Sequence, residues 1–406
     1  MKQVMAMVLA GGRGKRMDIF CQQRPKPILP FAGKYRVIDI TLSNCLQSQI
    51  ENIAVLVDYQ RSAMIEYLNQ WKATNGEEVT FTVLPPQSAS YKGTADAVYQ
   101  NLDFLDSPEI DVVLVLAGDH IYRMDYQKML AFHYESLADV TVGIAAVPLY
   151  ETHRFGTVIL EPGGRIKEFV EKSSNPASNL ASMGIYVFNR KFLAKCLKED
   201  AQNSNSPHDF GYAILPGIIK QDRVFGYVFD GYWQDIGTIE SYYKANIQLL
   251  QKNPLFTLNE QGPVFTGRPI ANTSWGGMPG KVTNSLISPG CTIEGSVENS
   301  ILSPGVRVEK EARVVNSIVM ANTRIGYHSI VDRCILDEGV NIDRYCYLGF
   351  GSNPVPQVYD ITMVGKDVNL GPQTAVGKKS KIMPGLKLAD LNFRFVAPGT
   401  VVSLPA

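Results

Sequence analysis

Apolar runs of strand length recur through the first 250 or so residues: Val4–Leu9, Ile53–Val57, Val79–Leu84, Val112–Leu116, Val140–Val147, Ile185–Phe188 and Val224–Phe229. Between them, Val37–Leu46, Arg61–Trp71, Ala95–Leu105 and Asp125–Leu137 place apolar residues at helical spacing. This alternation predicts an α/β sandwich around a mostly parallel sheet, a fold that binds ligands at the carboxyl ends of its strands. Around Gln251–Gly262 the helical pattern stops and Asn, Pro and Gly take over, so the predicted organisation is a domain over 1–250, a linker over 251–262 and a second domain over 263–406.

The second domain has another rhythm. Val364, Leu370, Val376, Ile382 and Leu388 fall six apart, the first three each followed by glycine. Upstream, Asn284-Ser285, Asn299-Ser300 and Asn316-Ser317 open similar phrases about eighteen residues apart or slightly less, and the first two run on into Ser-Pro-Gly. One inward aliphatic per six residues is the pattern of a parallel β-helix, whose stacked coils share one continuous core. Phe350–Thr362 breaks the rhythm and is expected to loop out.

Composition narrows the function. With 39 basic and 39 acidic residues there is no net field to recruit nucleic acid or an anionic membrane. No run of 18 apolar residues occurs, nor a leader-like N-terminus, and Cys21, Cys45, Cys196, Cys291, Cys334 and Cys346 form no C-x-x-C pair. The expectation is a cytosolic protein with reduced, mostly buried thiols.

Candidate chemistry starts where the first apolar run meets Gly11-Gly12-Arg13-Gly14-Lys15-Arg16, followed by Arg24-Pro25-Lys26-Pro27. Glycines let backbone N–H groups approach an anion, and four cations, Arg13, Lys15, Arg16 and Lys26, stand by to neutralise it, which points to a polyphosphate. The spacing is neither that of a P-loop nor of a dinucleotide fold. Asp119 follows the run Val112–Leu116, and a carboxylate at such a strand end suits Mg²⁺, unless it merely caps a helix. Asp235 follows Val224–Phe229 and reads equally as a second acid or a turn residue. Glu171 and Lys172 are adjacent, so on a regular strand they point to opposite faces. Both reach one ligand only if the backbone bends there, and an exposed surface pair is otherwise the simpler reading. Tyr91-Lys92-Gly93-Thr94-Ala95-Asp96-Ala97 is a small-residue turn opening a helix, whose free N–H groups would let a flat base approach.

In this order, AGGRGKR, RPKPILPFAGKYRVIDITLSNC, YKGTADAV, LAGDHIYRMDY, EFVEK, SMGIYVF, HDFG and GYWQDIGT together resemble the ADP-glucose pyrophosphorylase family. The resemblance implies a Rossmann-like nucleotidyltransferase domain followed by a left-handed parallel β-helix that serves regulation and oligomerisation. It also implies the reaction of ATP with α-glucose 1-phosphate to give ADP-glucose and pyrophosphate, a step of glycogen or starch synthesis. By the same resemblance Gly11, Gly12 and Arg16 hold the triphosphate and Lys26 serves the α-phosphate. Gln87, Gly93 and Thr94 contact adenine; Tyr91, Gly156, Glu171, Lys172 and Ser182 position the sugar phosphate; Asp119 and Asp235 hold Mg²⁺. Arg16, Lys26 and Asp119 are the catalytic set, with Arg24 and Arg36 at an effector site for a phosphorylated metabolite or other anion.

Three positions depart from the family pattern: Gln23 for a lysine of the effector region, Ser90 for a tryptophan and Asp58 for a glutamine. They bear on regulation rather than on catalysis. A catalytically silent regulatory subunit is the main alternative, but such relatives lack one of Arg16, Lys26, Asp119, Lys172 or Asp235, and all five are present. A bifunctional acyltransferase reading is weaker, since His328 is the one histidine of the coil region. The exposed ends of a β-helix coil, with the family pattern, imply a homotetramer.

Overall fold

The computed structural model describes residues 3–75, 81–259, 262–267, 280–351, 360–389 and 394–403. The start of the predicted strand Val79–Leu84, part of Gln251–Gly262 and most of Phe350–Thr362 lie outside them. The chain gathers into two compact units, each built from separate stretches of sequence. The first is Met1–Arg13, Ile38–Trp233 and Leu258–Gly267; the second is Gly14–Val37, Gln234–Thr257 and Arg268–Ala406.

The first unit is an α/β sandwich on a nine-stranded sheet. Its strands are β1 (Gln3–Leu9), β2 (Asn52–Leu56), β3 (Phe81–Leu84), β4 (Ile110–Ala117), β5 (Val140–Ala146), β6 (Gly156–Leu160), β7 (Ile166–Glu171), β8 (Leu180–Asn189) and β9 (Val224–Val228). The order β7-β6-β8-β4-β1-β2-β3 runs across the sheet, with β5 also on β8 and β9 on β5. Strands β4, β1, β2 and β3 are parallel, and the sheet turns antiparallel at β8. Met5–Val8 and Val112–Leu116 are buried throughout, as befits central strands covered on both faces. The expected helix Ala95–Leu105 is instead a helix Thr94–Tyr99 and a 3-10 turn Leu102–Leu105. Asn101 separates them: its amide donates to the Ala97 carbonyl at 2.8 Å and to the Tyr91 hydroxyl at 3.1 Å, a local alternative to the helical ladder.

In the second unit three parallel sheets form the three faces of the predicted β-helix. Ser296 pairs with Arg313, Arg313 with Ile330 and Ile330 with Tyr347, so these coils repeat every 17 residues. Val364, Leu370, Val376, Ile382 and Leu388 all lie in one buried cluster, and the first three stand on three successive faces. The Asn-Ser phrases are coil corners. Asn284, Asn299 and Asn316 take left-handed backbone (φ 45°, 46° and 49°), a conformation asparagine tolerates better than most residues. The serines then form a ladder, the N–H of Ser300 donating to Ser285 Oγ, that of Ser317 to Ser300 Oγ, and that of Cys334 to Ser317 Oγ.

Residues 14–37 and the helix Ile239–Gln248 pack with these coils. The Tyr243 hydroxyl donates to the Asn316 carbonyl at 2.6 Å, and Ala32 N–H to Asn246 Oδ1 at 2.9 Å. Gly33 (φ 79°) sits where a Cβ would come within 2.4 Å of Ser288 Oγ.

None of the six cysteines is in a disulfide, and all are buried. Burial pushes the thiol of Cys196 up to about 12 and that of Cys291 up to about 11, which suppresses the reactive thiolate. A chromogenic disulfide reagent at about pH 8 is therefore expected to modify the native protein slowly and all six thiols only after unfolding. A rapid stoichiometric burst on the native protein would contradict this. Among the described residues no helix is long and apolar enough to cross a membrane.

Candidate functional site

In the first unit the parallel strands deliver three residues at their carboxyl ends: Gly11 after β1, Asp58 after β2 and Asp119 after β4. A Cβ on Gly11 would meet Asp58 Cβ at 3.0 Å and the Tyr91 ring at 3.7 Å, whereas one on Gly12 would enter open space. The backbone of Gly118 is fixed by its N–H bond to the Leu9 carbonyl at 3.0 Å, so the Asp119 turn adjoins the glycine turn. Asp119 is half-buried and caps no helix; the next helix, Tyr126–Glu135, is capped by Asp125. His120 Nε2 lies 3.6 Å from Asp119 Oδ1, and its Nδ1 lies 3.1 Å from the Met183 carbonyl. The ring stands edge-to-face on Trp233.

Met183 belongs to an irregularity in β8, whose register shifts between Ser182 and Tyr186. Such bulges re-aim side chains. Here Gly184 takes φ 66° and donates its N–H to Ser182 Oγ at 3.3 Å, and the preceding Ala181 pairs with Thr157 of β6. Gly156 pairs with Glu171, and a Cβ on it would fall 2.4 Å from the Phe169 ring and 2.5 Å from Glu171 Oε2. The bend that Glu171 and Lys172 require is present, since Lys172 has φ 47°. Its Nζ meets Glu171 Oε1 at 2.9 Å and lies 5.1 Å from the centre of the Tyr212 ring. Glu171 ends the strand half-buried and Lys172 is exposed, so the left-handed turn lets the two side chains meet at the surface instead of pointing to opposite faces. Burial works against the Lys172 charge, but the Glu171 carboxylate outweighs it and the pKa rises above the ordinary lysine value. Lys172 therefore stays cationic through neutral and mildly alkaline pH.

Gly211 closes the far side of Glu171, and through it the His208-Asp209-Phe210-Gly211 segment joins the site. The His208 carbonyl accepts from Ala95 N–H at 2.9 Å and Asp96 N–H at 3.2 Å, and a Cβ on Gly93 would lie 2.3 Å from it. Thr94 Oγ1 donates to Asp209 Oδ2 at 2.9 Å. The helix N-terminus expected to face a base thus spends two of its N–H groups, those of Ala95 and Asp96, on His208. Gln87 is exposed, its N–H held by Gln100 Oε1 at 2.9 Å. Tyr91 is anchored through its hydroxyl, which donates to the Leu84 carbonyl at 2.9 Å; burial pushes that phenol up to about 12, so it stays neutral. Asp58 accepts from Tyr91 N–H at 3.3 Å and pairs with Arg61 at 3.7 Å, while Arg61 also holds the Ala89 carbonyl, so Asp58 and Arg61 tie down the loop containing Ser90.

The second unit gathers the remaining cations. Gly14, at φ 62°, starts the 3-10 turn Lys15–Cys21. Lys26 is buried and donates to Asp235 Oδ1 at 3.1 Å. The place a Cβ on Gly237 would occupy is 2.8 Å from both Arg16 Nη2 and Asp235 Oδ2, so Arg16, Lys26 and Asp235 stand together. Arg24 and Arg36, also buried, engage Asp337 and Glu338 of the coils. Sequence reasoning missed that pair of acids, and it missed His120 and Gly211. His120 and Gly211 sit inside the LAGDHIY and HDFG phrases, whereas Asp337 and Glu338 carry no local signal.

A model of the nucleotidyl transferase family matches residues 5–252, and one described as GlmU-like, C-terminal hexapeptide, a left-handed β-helix type, matches residues 271–369. A glucose-1-phosphate adenylyltransferase of Desulfitobacterium hafniense is 40% identical over 392 residues, covering 94% of this chain and 98% of its own. Those of Fervidobacterium nodosum and Thermomicrobium roseum are each 40% identical, covering 93% and 99% of this chain and 94% and 98% of theirs. With strand-end acids, glycine turn, bent Glu171–Lys172 corner and hexad coils in one chain, and with relatives of this identity along nearly its whole length, the protein belongs to the glucose-1-phosphate adenylyltransferase family.

Proposed function

We propose that this protein transfers the adenylyl group of ATP to α-D-glucose 1-phosphate, forming ADP-glucose and releasing pyrophosphate, the committed step towards glycogen or starch. A phosphate oxygen of the sugar phosphate attacks the α-phosphorus in line as the bond to the β-phosphate oxygen breaks, with no covalent enzyme intermediate. Positioning and charge compensation suffice for such a step. Arg16 and the Gly11–Gly12 backbone receive the triphosphate, and Lys26 the α-phosphate. Gln87 and the Gly93–Thr94 turn take the adenine. Tyr91, Gly156, Glu171, Lys172 and Ser182 take the sugar phosphate, Glu171 through sugar hydroxyls and Lys172 through the phosphate.

Asp119 and Asp235 are the residues assigned to Mg²⁺. Among the described residues no group of three or more metal-binding side chains forms, and a site of one or two carboxylates is the kind Mg²⁺ uses when water and substrate phosphates complete its shell. The ion, when bound, stabilises charge on the departing pyrophosphate. Residues 1–250 then form the catalytic domain, 251–262 the linker, and 263–406 the regulatory and oligomerisation domain of a cytoplasmic homotetramer. A phosphorylated effector at Arg24 and Arg36 competes there with Asp337 and Glu338.

The observation that carries the reading is the Glu171–Lys172 corner. A left-handed lysine, held cationic beside a carboxylate that two glycines make room for, is a built recognition point for a hydroxyl-rich phosphate. Lys172→Gln is expected to raise the KM for glucose 1-phosphate about 10- to 100-fold with little change in kcat, because a charge-assisted contact made in ground and transition states alike is lost. An unchanged KM counts against the role. The nucleotide is tested by a panel of ATP, GTP, UTP and dTTP with glucose 1-phosphate, following pyrophosphate release. ATP is expected to lead, and a clear preference for another nucleotide overturns the assignment.

A further inference from the structure

Two buried guanidinium groups flank the segment that carries Lys26. Arg24 and Arg36 are 6% and 8% exposed. Arg24 Nη2 donates to Asp337 Oδ1 at 2.5 Å, Arg24 Nη1 lies 3.5 Å from Glu338 Oε2, and Arg36 Nη2 donates to Glu338 Oε1 at 2.8 Å. Burial opposes the Arg24 charge, and the two carboxylates more than offset it. The carboxylates are mounted rigidly: Asp337 N–H is bonded to the Val364 carbonyl of the neighbouring coil at 2.9 Å, and Glu338 N–H to Asp337 Oδ1 at 2.7 Å.

The connection to Lys26 is short and stiff. One residue, Pro25, separates it from Arg24, with φ −73° and ψ 153°, and Pro27 follows. A ring-locked φ on both sides leaves few torsions to absorb a displacement of Arg24 before it reaches Lys26. A second ion pair, Lys381 with Asp18, fastens the same segment to the coils.

We infer that Asp337 and Glu338 are positioning residues for the transfer reaction, acting as a built-in anion that holds Arg24 and Arg36, and through them Lys26, in working geometry. The inference rests on the reading that Lys26 serves the α-phosphate of ATP. Removal of Glu338 takes from the buried Arg36 guanidinium a carboxylate that bonds it directly and from Arg24 a second one, a loss of negative charge that a small tetrahedral anion can make good. An external anion acting at these arginines in the native protein first has to displace the chain's own carboxylates.

The test is Glu338→Ala in the full chain, with sodium sulfate as the probe and ionic strength held constant with sodium chloride. The kcat for ADP-glucose synthesis is expected to fall about 10- to 100-fold with the KM for glucose 1-phosphate unchanged, since what is lost is the placement of a reacting group. Sulfate is expected to restore kcat of the variant at least several-fold and to raise its Tm, and to do neither for the native protein. If Glu338→Ala does not fold, Glu338→Gln, which keeps the size and removes the charge, carries the same comparison. An undiminished kcat, or a loss that sulfate does not relieve, overturns the inference. The Tm comparison needs no turnover. A native protein that makes no ADP-glucose defeats the functional reading alone, whereas equal sulfate stabilisation of variant and native defeats the built-in anion.

Discussion

Asp119→Ala is expected to lower ADP-glucose formation by about 1,000-fold or more, the scale on which charge stabilisation at a transferring phosphoryl group operates. The fold should survive. The turn is held by backbone, through Gly118 N–H on the Leu9 carbonyl, and the following helix takes its cap from Asp125. Circular dichroism and Tm close to those of the native protein, together with lost turnover, separate a catalytic role from a structural one. Activity within a few-fold of native would remove Asp119 from the metal site.

The second large effect is Lys26→Ala, and it has two components. The ammonium and its partner Asp235 are both nearly buried and 3.1 Å apart. Deleting the lysine takes from a buried carboxylate the cation that it bonds directly, a loss of about 3 kcal/mol in such settings. It also removes the charge assigned to the α-phosphate, for a further loss of about 100-fold or more in kcat. The components are separable. Adding Asp235→Asn to Lys26→Ala is expected to recover most of the stability, because the buried charge that lost its ion pair is gone, and none of the turnover. Denaturant unfolding of the two variants measures the first, steady-state kinetics the second. Recovery of activity in the double variant would show that Lys26 serves the fold only.

Much of the architecture was legible because it is written in short periods. The hexad Val364, Leu370, Val376, Ile382, Leu388 puts one aliphatic inward per face, so the period alone discloses the coil and its core. The central strands were legible as apolar runs because both their faces are covered. The strands Gly156–Leu160 and Ile166–Glu171 were not. Lys167 and Glu168 interrupt the apolar pattern, and the hairpin shows only in the left-handed Gly163 and Gly164 between them. Their pairing is one of the four antiparallel ones in this sheet, the other three being made by β8.

The site divides in the same way. Gly11, Gly12 and Asp119 are legible as candidates because a strand end marks them, and they do follow β1 and β4. Glu171 and Lys172 are legible as residue types, but the φ of 47° that brings their side chains together has no signature in a two-residue alternation. The commitment of the Ala95 and Asp96 N–H groups to His208 was invisible, since the two segments are over a hundred residues apart. Arg24 and Asp337 are further apart still, separated by 313 positions, and a pair at that distance leaves no local pattern at all.

The most direct measurement places the native protein and Asp119→Ala side by side with ATP, glucose 1-phosphate and Mg²⁺, and quantifies ADP-glucose and pyrophosphate. The native protein is expected to form the two products one for one, and the variant neither above background. No ADP-glucose from the native protein, or equal amounts from both proteins, would contradict the assignment of adenylyl transfer to this site.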